Sequence, residues 1–279
     1  MNLLRKIYYS LGPRQRRQAR RLFYLPKDMF DTLLKRRPPL VPPKGKIFIG
    51  QGDFAATGDS LLQNLIETCE LLPNHQILDI GCGIGRLARP LTKFLNEKGS
   101  YEGFDVVEEG INWCREAYRD FPGFSFKHIS LKNDLYNLET ENTADLFQFP
   151  YPDSCFDRVV LTSVFTHMQL EDVRNYILEI SRVLKPEGYC FATFFIINED
   201  TESYLDKSKK PFFPYRFEHY FLHDPKVRDA NIAYRYNVVE DMAKKAGLSI
   251  NQFHPGWWAG RPESTCMSFQ DVLVFKKRV

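Results

Sequence analysis

The sequence has no Cys-x-x-Cys pair. Its six cysteines, Cys69, Cys82, Cys114, Cys155, Cys190 and Cys266, are scattered and none stands near histidine at metal-ligand spacing, which excludes a zinc ribbon, a thioredoxin-like redox centre and an evident metal site. Most lie inside apolar runs. Reduced, buried thiols in a cytoplasmic protein are therefore expected. No stretch reaches the ~18 apolar residues that a membrane-crossing helix needs, and Arg5 and Lys6 interrupt the apolar residues after Met1 before any leader-like segment forms. Internal repeats and low-complexity tracts are also missing, which excludes repeat arrays and long disordered tails.

Net charge is scarce too, at +3 over 279 residues, yet it is unevenly placed. Residues 1–44 carry twelve Lys or Arg against two Asp, so an arm of +10 precedes a body of −7. The arm, residues 1–46, interleaves Arg14, Arg16, Arg17, Arg20 and Arg21, then Lys35, Arg36 and Arg37, with Leu3, Leu4, Ile7, Leu22, Phe23, Phe30, Leu33 and Leu34. That mixture predicts two or three short amphipathic helices, ended by the Pro38-Pro39 and Pro42-Pro43 pairs. Three roles are open for it: packing on the body with solvated basic faces, peripheral attachment to an anionic membrane surface, and nucleic-acid binding. Nucleic acid is disfavoured, because no reading motif accompanies the arginines and the body is acidic. Hydrophobic content of 43% and charged content of 26% are ordinary, and residues 47–279 can form one domain with a full core.

The informative stretch runs from Gln76 to Arg86, Gln-Ile-Leu-Asp-Ile-Gly-Cys-Gly-Ile-Gly-Arg. An apolar strand-like run ends in a glycine-rich turn and a helical pattern follows, so a strand feeds a helix. Gly81, Gly83 and Gly85 let the backbone bend and approach a ligand closely, and the following helix start offers N–H groups. The spacing is not G-x-G-x-x-G. An acid, Asp79, stands two residues before the first glycine and suits a cationic ligand better than a pyrophosphate. A second acid, Asp105, closes the next strand-like run twenty residues beyond Gly85, where a doubly wound site places a ribose-binding carboxylate.

In these residues the chain resembles the class I S-adenosylmethionine-dependent methyltransferases, whose first motif is an acidic residue followed by G-x-G-x-G. The resemblance extends over residues 47–196. Phe149-Pro150-Tyr151-Pro152-Asp153-Ser154-Cys155-Phe156-Asp157 is similar to the family's segment leading into its fourth strand, and Arg182 to Gly188 to its "R-V-L-K-P-x-G". The resemblance implies an α/β fold, a Rossmann-like doubly wound seven-stranded sheet, mostly parallel with an antiparallel last strand. It implies S-adenosyl-L-methionine as cofactor, held by Asp79, Gly81, Cys82, Gly83, Gly85, Asp105 and Val106, with Asp145 and Leu146 addressing the adenine; Asp145 as a solvated loop acid is the competing reading.

Asp53 reads as a turn residue beside glycine, and Asp59 or Ser60 as the cap of a helix through Leu71. Strands are expected at Phe124–Ile129, Phe156–Thr162 and Tyr189–Ile196, and helices at Val106–Tyr118, Glu171–Val183 and Val238–Ala246. Residues 197–236 are unusually aromatic and leave the sheet at its carboxyl end, so they are expected to form a substrate lid. Leu248–Phe253 and Phe269–Phe275 read as strands joined by a loop containing Trp257, Trp258 and Arg261. With His223, these three are the candidate substrate contacts, because aromatics on loops favour binding surfaces.

Methyl transfer to a hydroxyl benefits from a base, and His167, in Thr166-His167-Met168 after the fourth strand, is the leading candidate; a packing or capping histidine is the alternative. His219, His223 and His254 are lesser candidates, and Gln270 and Asp271 read as structural. The acceptor expected is a small molecule or a glycan-like or lipid-linked compound, methylated on oxygen, in the cytoplasm or at the inner membrane surface. A non-catalytic S-adenosylmethionine-binding module and a nicotinamide-dependent reductase are the competing functions.

Overall fold

The computed structural model describes residues 12–48, 50, 52–131, 140, 142–205, 212–225 and 231–278. The chain enters through helix α1 (Pro13–Leu33), a short 3-10 turn (Lys44–Lys46) and helix α2 (Phe54–Cys69). Strand and helix then alternate: β1 (Gln76–Ile80), α3 (Ala88–Phe94), β2 (Ser100–Asp105), α4 (Glu108–Ala117), β3 (Phe124–His128), β4 (Phe156–Leu161), α5 (Leu170–Val183) and β5 (Leu184–Phe194). After an inserted segment come α7 (Tyr236–Lys245), β10 (Leu248–His254) and β11 (Asp271–Lys277).

These strands make one seven-stranded sheet in the order β10-β11-β5-β4-β1-β2-β3. β1 to β5 run parallel, and only β11 is antiparallel, to β5 on one side and β10 on the other. Parallel strands covered on both faces read as continuous apolar runs, and alternate residues of each strand enter opposite cores. Ile77, Tyr101, Val160, Phe191 and Val274 pack with α2, α3 and α4, whereas Leu78, Phe104, Val159, Ala192 and Phe275 pack with α5 and α7. α5 follows its apolar rhythm at Val173, Tyr176, Ile177, Ile180 and Val183 and opens with a capping box between Gln169 and Asp172. Strand order reverses between β1 and β4, which opens a crevice beyond their carboxyl ends.

Several elements differ from the sequence reading. Residues 1–11 of the arm lie outside the described residues; the rest holds one 21-residue helix, which runs through Pro26. Pro26 is exposed, so the carbonyl its ring leaves without a donor can reach water. α2 is capped by Asp53, whose carboxylate accepts the Ala56 N–H at 2.7 Å, and not by Asp59 or Ser60; Asp59 lies inside the helix and pairs with Arg89. Residues 197–236 contribute a second sheet, β6-β9-β8-β7, from β6 (Ile196–Ile197), β7 (Tyr215–Arg216), β8 (Tyr220–Leu222) and β9 (Ile232–Arg235), beside helix α6 (Glu199–Leu205). Its strands are two to four residues long, too short for alternation to be read in the sequence.

Candidate active site at the carboxyl ends of β1, β2 and β4

The glycine bend after β1 is shaped by contacts a side chain would destroy. Gly81 has φ +73°, and a Cβ there would come within 2.4 Å of Val164. Gly83 has φ +60° and Gly85 +77°; the Gly85 carbonyl accepts the Tyr118 hydroxyl at 3.0 Å. The bend's amides are engaged within the protein. Gly81 and Cys82 both donate to the Phe104 carbonyl (2.9 and 3.1 Å), Gly83 donates to the Asp105 carboxylate (2.8 Å) and Gly85 to the Cys82 carbonyl (3.0 Å). These four point inward, so the bend itself serves close approach and leaves the gripping of a ligand to other groups.

Asp105 ends β2 and accepts from Val107 N–H as well as Gly83 N–H, both at 2.8 Å. Two of about four acceptor directions on an ionised carboxylate are thereby filled, and the others remain for ligand hydroxyls. Asp79 accepts the Tyr101 hydroxyl at 2.7 Å. Burial pushes the Asp79 carboxyl up to about 7, with the Tyr101 hydroxyl opposing and the Asp105 charge adding to the rise. Burial raises Asp105 as well, against the backbone N–H bonds that favour its ionised form. A pair of carboxylates whose charge is resisted by burial favours a cationic guest, which supplies the counter-charge.

Both acids face a cavity of about 360 Å³, within the range of small-molecule sites. Gly81, Cys82 and Val106 line it with them, as do Phe48 and Gly50 from the segment before α2. Across the switch point the residues just past β4 contribute Thr162 and Ser163, and the following 3-10 turn (Phe165–His167) brings His167 and then Met168 to the wall. Ser163 holds φ +58°, fixed by its N–H donating to the Thr193 hydroxyl at 2.7 Å and its own hydroxyl donating to Gln270 at 2.9 Å. Backbone strain held at a crevice edge is often functional.

Other residues stand elsewhere. Asp145 and Leu146 are exposed, Leu146 to 83%, and do not line the cavity; their neighbour Ala144 does. The Asn175 amide donates to the Ala144 and Phe147 carbonyls at 2.9 Å and fixes the turn in that orientation. The expected substrate contacts are also absent from the lining. Trp258 is buried, its indole N–H donating to Asp271 at 2.7 Å; Arg261 is buried against Asp200 (2.7 Å) and the Thr201 hydroxyl (2.9 Å). Both tie the β10–β11 loop to the small sheet's core and do not face a ligand. Asp271 accepts in addition from Ile196 and Gly256 N–H (2.6 and 2.7 Å), and burial raises its carboxyl to about 6. Trp257 packs edge-on to Phe269, and His223 is exposed, bonded through Nδ1 to the Phe212 carbonyl at 2.7 Å. His219 is exposed, and His254 bonds Gln252 at 2.9 Å.

Sequence reasoning passed over Arg86, Asp172 and Tyr176, all of which line the cavity. Arg86 directly follows the bend, and Asp172 stands in the first turn of α5 five residues after His167; adjacency to the motifs was the available signal. Among the described residues, no group of three His, Cys, Asp or Glu could hold a metal ion.

The architecture is that of the Rossmann-like, S-adenosylmethionine-dependent class I methyltransferases. Over 78% of this chain and 97% of its own, a SAM-dependent methyltransferase from Methanosarcina mazei superposes with a TM-score of 0.52 at 22% identity. Residues 78–192 match the family model described as "Methyltransferase domain". An uncharacterized methyltransferase of Schizosaccharomyces pombe, C1B3.06c, is 32% identical over 153 residues, 53% of this chain and 51% of its own. The human mitochondrial ubiquinone biosynthesis O-methyltransferase is 31% identical over 150 residues, 50% of this chain and 35% of its own. The chain thus spans about half the length, or less, of the curated relatives it matches. Residues 78–192 thus match a methyltransferase domain and the fold around them is that of the S-adenosylmethionine-dependent methyltransferases, so S-adenosyl-L-methionine is the cofactor implied. The residues present fit that molecule: the glycine bend admits close approach, Asp105 keeps acceptor directions for ribose hydroxyls, and the two acids suit a sulfonium and an ammonium.

Proposed function

We propose that the protein transfers a methyl group from S-adenosyl-L-methionine to a hydroxyl of a small-molecule, glycan-like or lipid-linked acceptor in the cytoplasm. The observation that carries this is that His167, on the β4 side of the switch point, and the Asp79–Asp105 pair, on the β1–β2 side, line one cavity. When bound, the cofactor supplies an electrophilic methyl on a sulfonium, so the protein's task is alignment, water exclusion and proton removal. Ile80, Phe104, Val164 and Met168 give the cavity apolar walls. His167 takes the proton from the acceptor hydroxyl, the usual work of an imidazole at such a position. Residues 197–236 act as the lid over the acceptor side, with Trp257 and His223 at its margin. The relative named as an O-methyltransferase favours oxygen over nitrogen as acceptor. Six free cysteines fit a reducing compartment.

The test is transfer of isotope-labelled methyl from S-adenosylmethionine into fractionated cell metabolites and envelope glycans, with the labelled product identified by mass spectrometry. A product carrying a new O-methyl group is expected. Label confined to nitrogen or carbon would overturn the acceptor assignment, and no transfer from any fraction would leave a binding module.

A further inference from the structure

Helix α1 turns its apolar side the wrong way for a helix of a water-soluble body. The stripe that holds it to the protein is polar. Arg17 and Arg21 pair with Glu109 at 3.3 and 3.2 Å, and the Asp28 carboxylate accepts the Lys44 and Gly45 N–H groups at 2.7 and 2.9 Å. These residues are spaced four and seven apart and so share one face. The opposite face carries Leu22, Leu25, Met29 and Leu33, also three, four and seven apart, widened by Phe23 and Phe30. All six are exposed, Leu22 to 71%, Phe23 to 76% and Leu33 to 80%.

Charge decides what covers this face. Between Gly12 and Arg37 the chain has nine Lys or Arg and two Asp. Asp28 is engaged with backbone N–H groups and Asp31 with Lys27 at 3.2 Å, so the acids do not balance the rim. Lys35 and Arg36 are exposed at its carboxyl end, and Arg36 lies over the Phe30 ring at 5.2 Å. A broad apolar ridge flanked by cations matches the boundary of an anionic lipid layer, with apolar side chains among the acyl chains and cations at the headgroups. No helix among the described residues is long and apolar enough to cross a membrane, so the helix would lie on the surface.

We propose that α1 is a docking helix for a membrane surface rich in anionic lipid. The segment leaving it reaches Phe48 and Gly50, which line the cavity, so docking anchors a strap connected to the site. The proposal stands apart from the acceptor chemistry and is read without turnover. The full-length protein is sedimented with vesicles of phosphatidylcholine alone and of phosphatidylcholine mixed with phosphatidylglycerol. Binding to the anionic vesicles is expected to exceed that to the neutral ones by about tenfold or more and to weaken at high salt. The triple change Leu22→Glu, Phe23→Glu and Leu33→Glu abolishes it, while Lys35→Glu with Arg36→Glu weakens it by about fivefold per residue. Both variants are expected to keep the circular dichroism and cofactor binding of the parent. Equal binding to both vesicle types, no binding to either, or binding untouched by both variants would overturn the proposal. So would a dimer in light scattering that the triple change dissolves, which would make the face a contact between copies.

Discussion

The two ends of the crevice use similar residues to opposite purposes. At the β1–β2 end, Asp79 and Asp105 are buried yet face the cavity, Asp79 held by the Tyr101 hydroxyl and Asp105 by the Gly83 and Val107 amides. At the far end, Asp271, Trp258 and Arg261 are buried, Trp258 bonded to Asp271 and Arg261 to Asp200 and the Gly256 carbonyl, and none lines the cavity. A buried acid at the first end is a site feature. At the second it is a rivet joining the β10–β11 loop to the small sheet. Burial and polarity alone do not separate the two cases; the direction of the partners does.

The comparison breaks first at Asp105. Asp105→Ala removes the acceptors for Gly83, Val107 and the ligand together, and cofactor binding is expected to fall by about a hundredfold or more in a calorimetric titration. His167→Ala comes next: the rate of methyl transfer should drop about a hundredfold while cofactor affinity stays within about threefold, measured by single-turnover kinetics. A drop of under about threefold in rate would make His167 a packing residue.

Asp79→Asn sharpens the contrast further. The folded carboxyl titrates near 7 because of burial, above its unfolded range, so the stability it lends is present at low pH and lost as pH rises through 7. The amide cannot ionise. Asp79→Asn should therefore raise the melting temperature of the cofactor-free protein, more at about pH 8 than at about pH 6, while weakening cofactor binding about tenfold. At the other end, Trp258→Phe leaves an Asp271 acceptor without its indole donor. It is expected to cost about 1–3 kcal/mol in denaturant unfolding, with the transfer rate and cofactor affinity within about twofold.

The sequence announced the first end because glycines at positive φ and an acid at fixed spacing are local requirements, visible in the single stretch from Gln76 to Arg86. The main sheet was equally readable, since buried parallel strands are continuous apolar runs and α5 keeps a clean helical rhythm. The second end depends on contacts made only once the chain folds, such as Arg261 with Asp200 and Trp258 with Asp271. Nothing in the order of residues shows that an arginine on a loop already has its acid 61 residues away. Asp145 stays off the cavity wall through a contact of the same kind: the turn at 144–146 is set by Asn175 on α5, which places Ala144 and not Asp145 at the cavity. Helix α1 differs in another way: it continues through Pro26, which falls on the exposed side where a lost hydrogen bond costs least.

The central claim is that two buried acids and a glycine bend receive a cationic adenosyl ligand. Calorimetric titration of the protein with S-adenosyl-L-methionine and with NADH, each at about pH 6 and about pH 8, tests it directly. The account predicts binding of S-adenosyl-L-methionine that tightens about tenfold between the two pH values as Asp79 ionises, and no heat from NADH. Binding of NADH without S-adenosyl-L-methionine, or cofactor affinity that is flat or falling with pH, would contradict it.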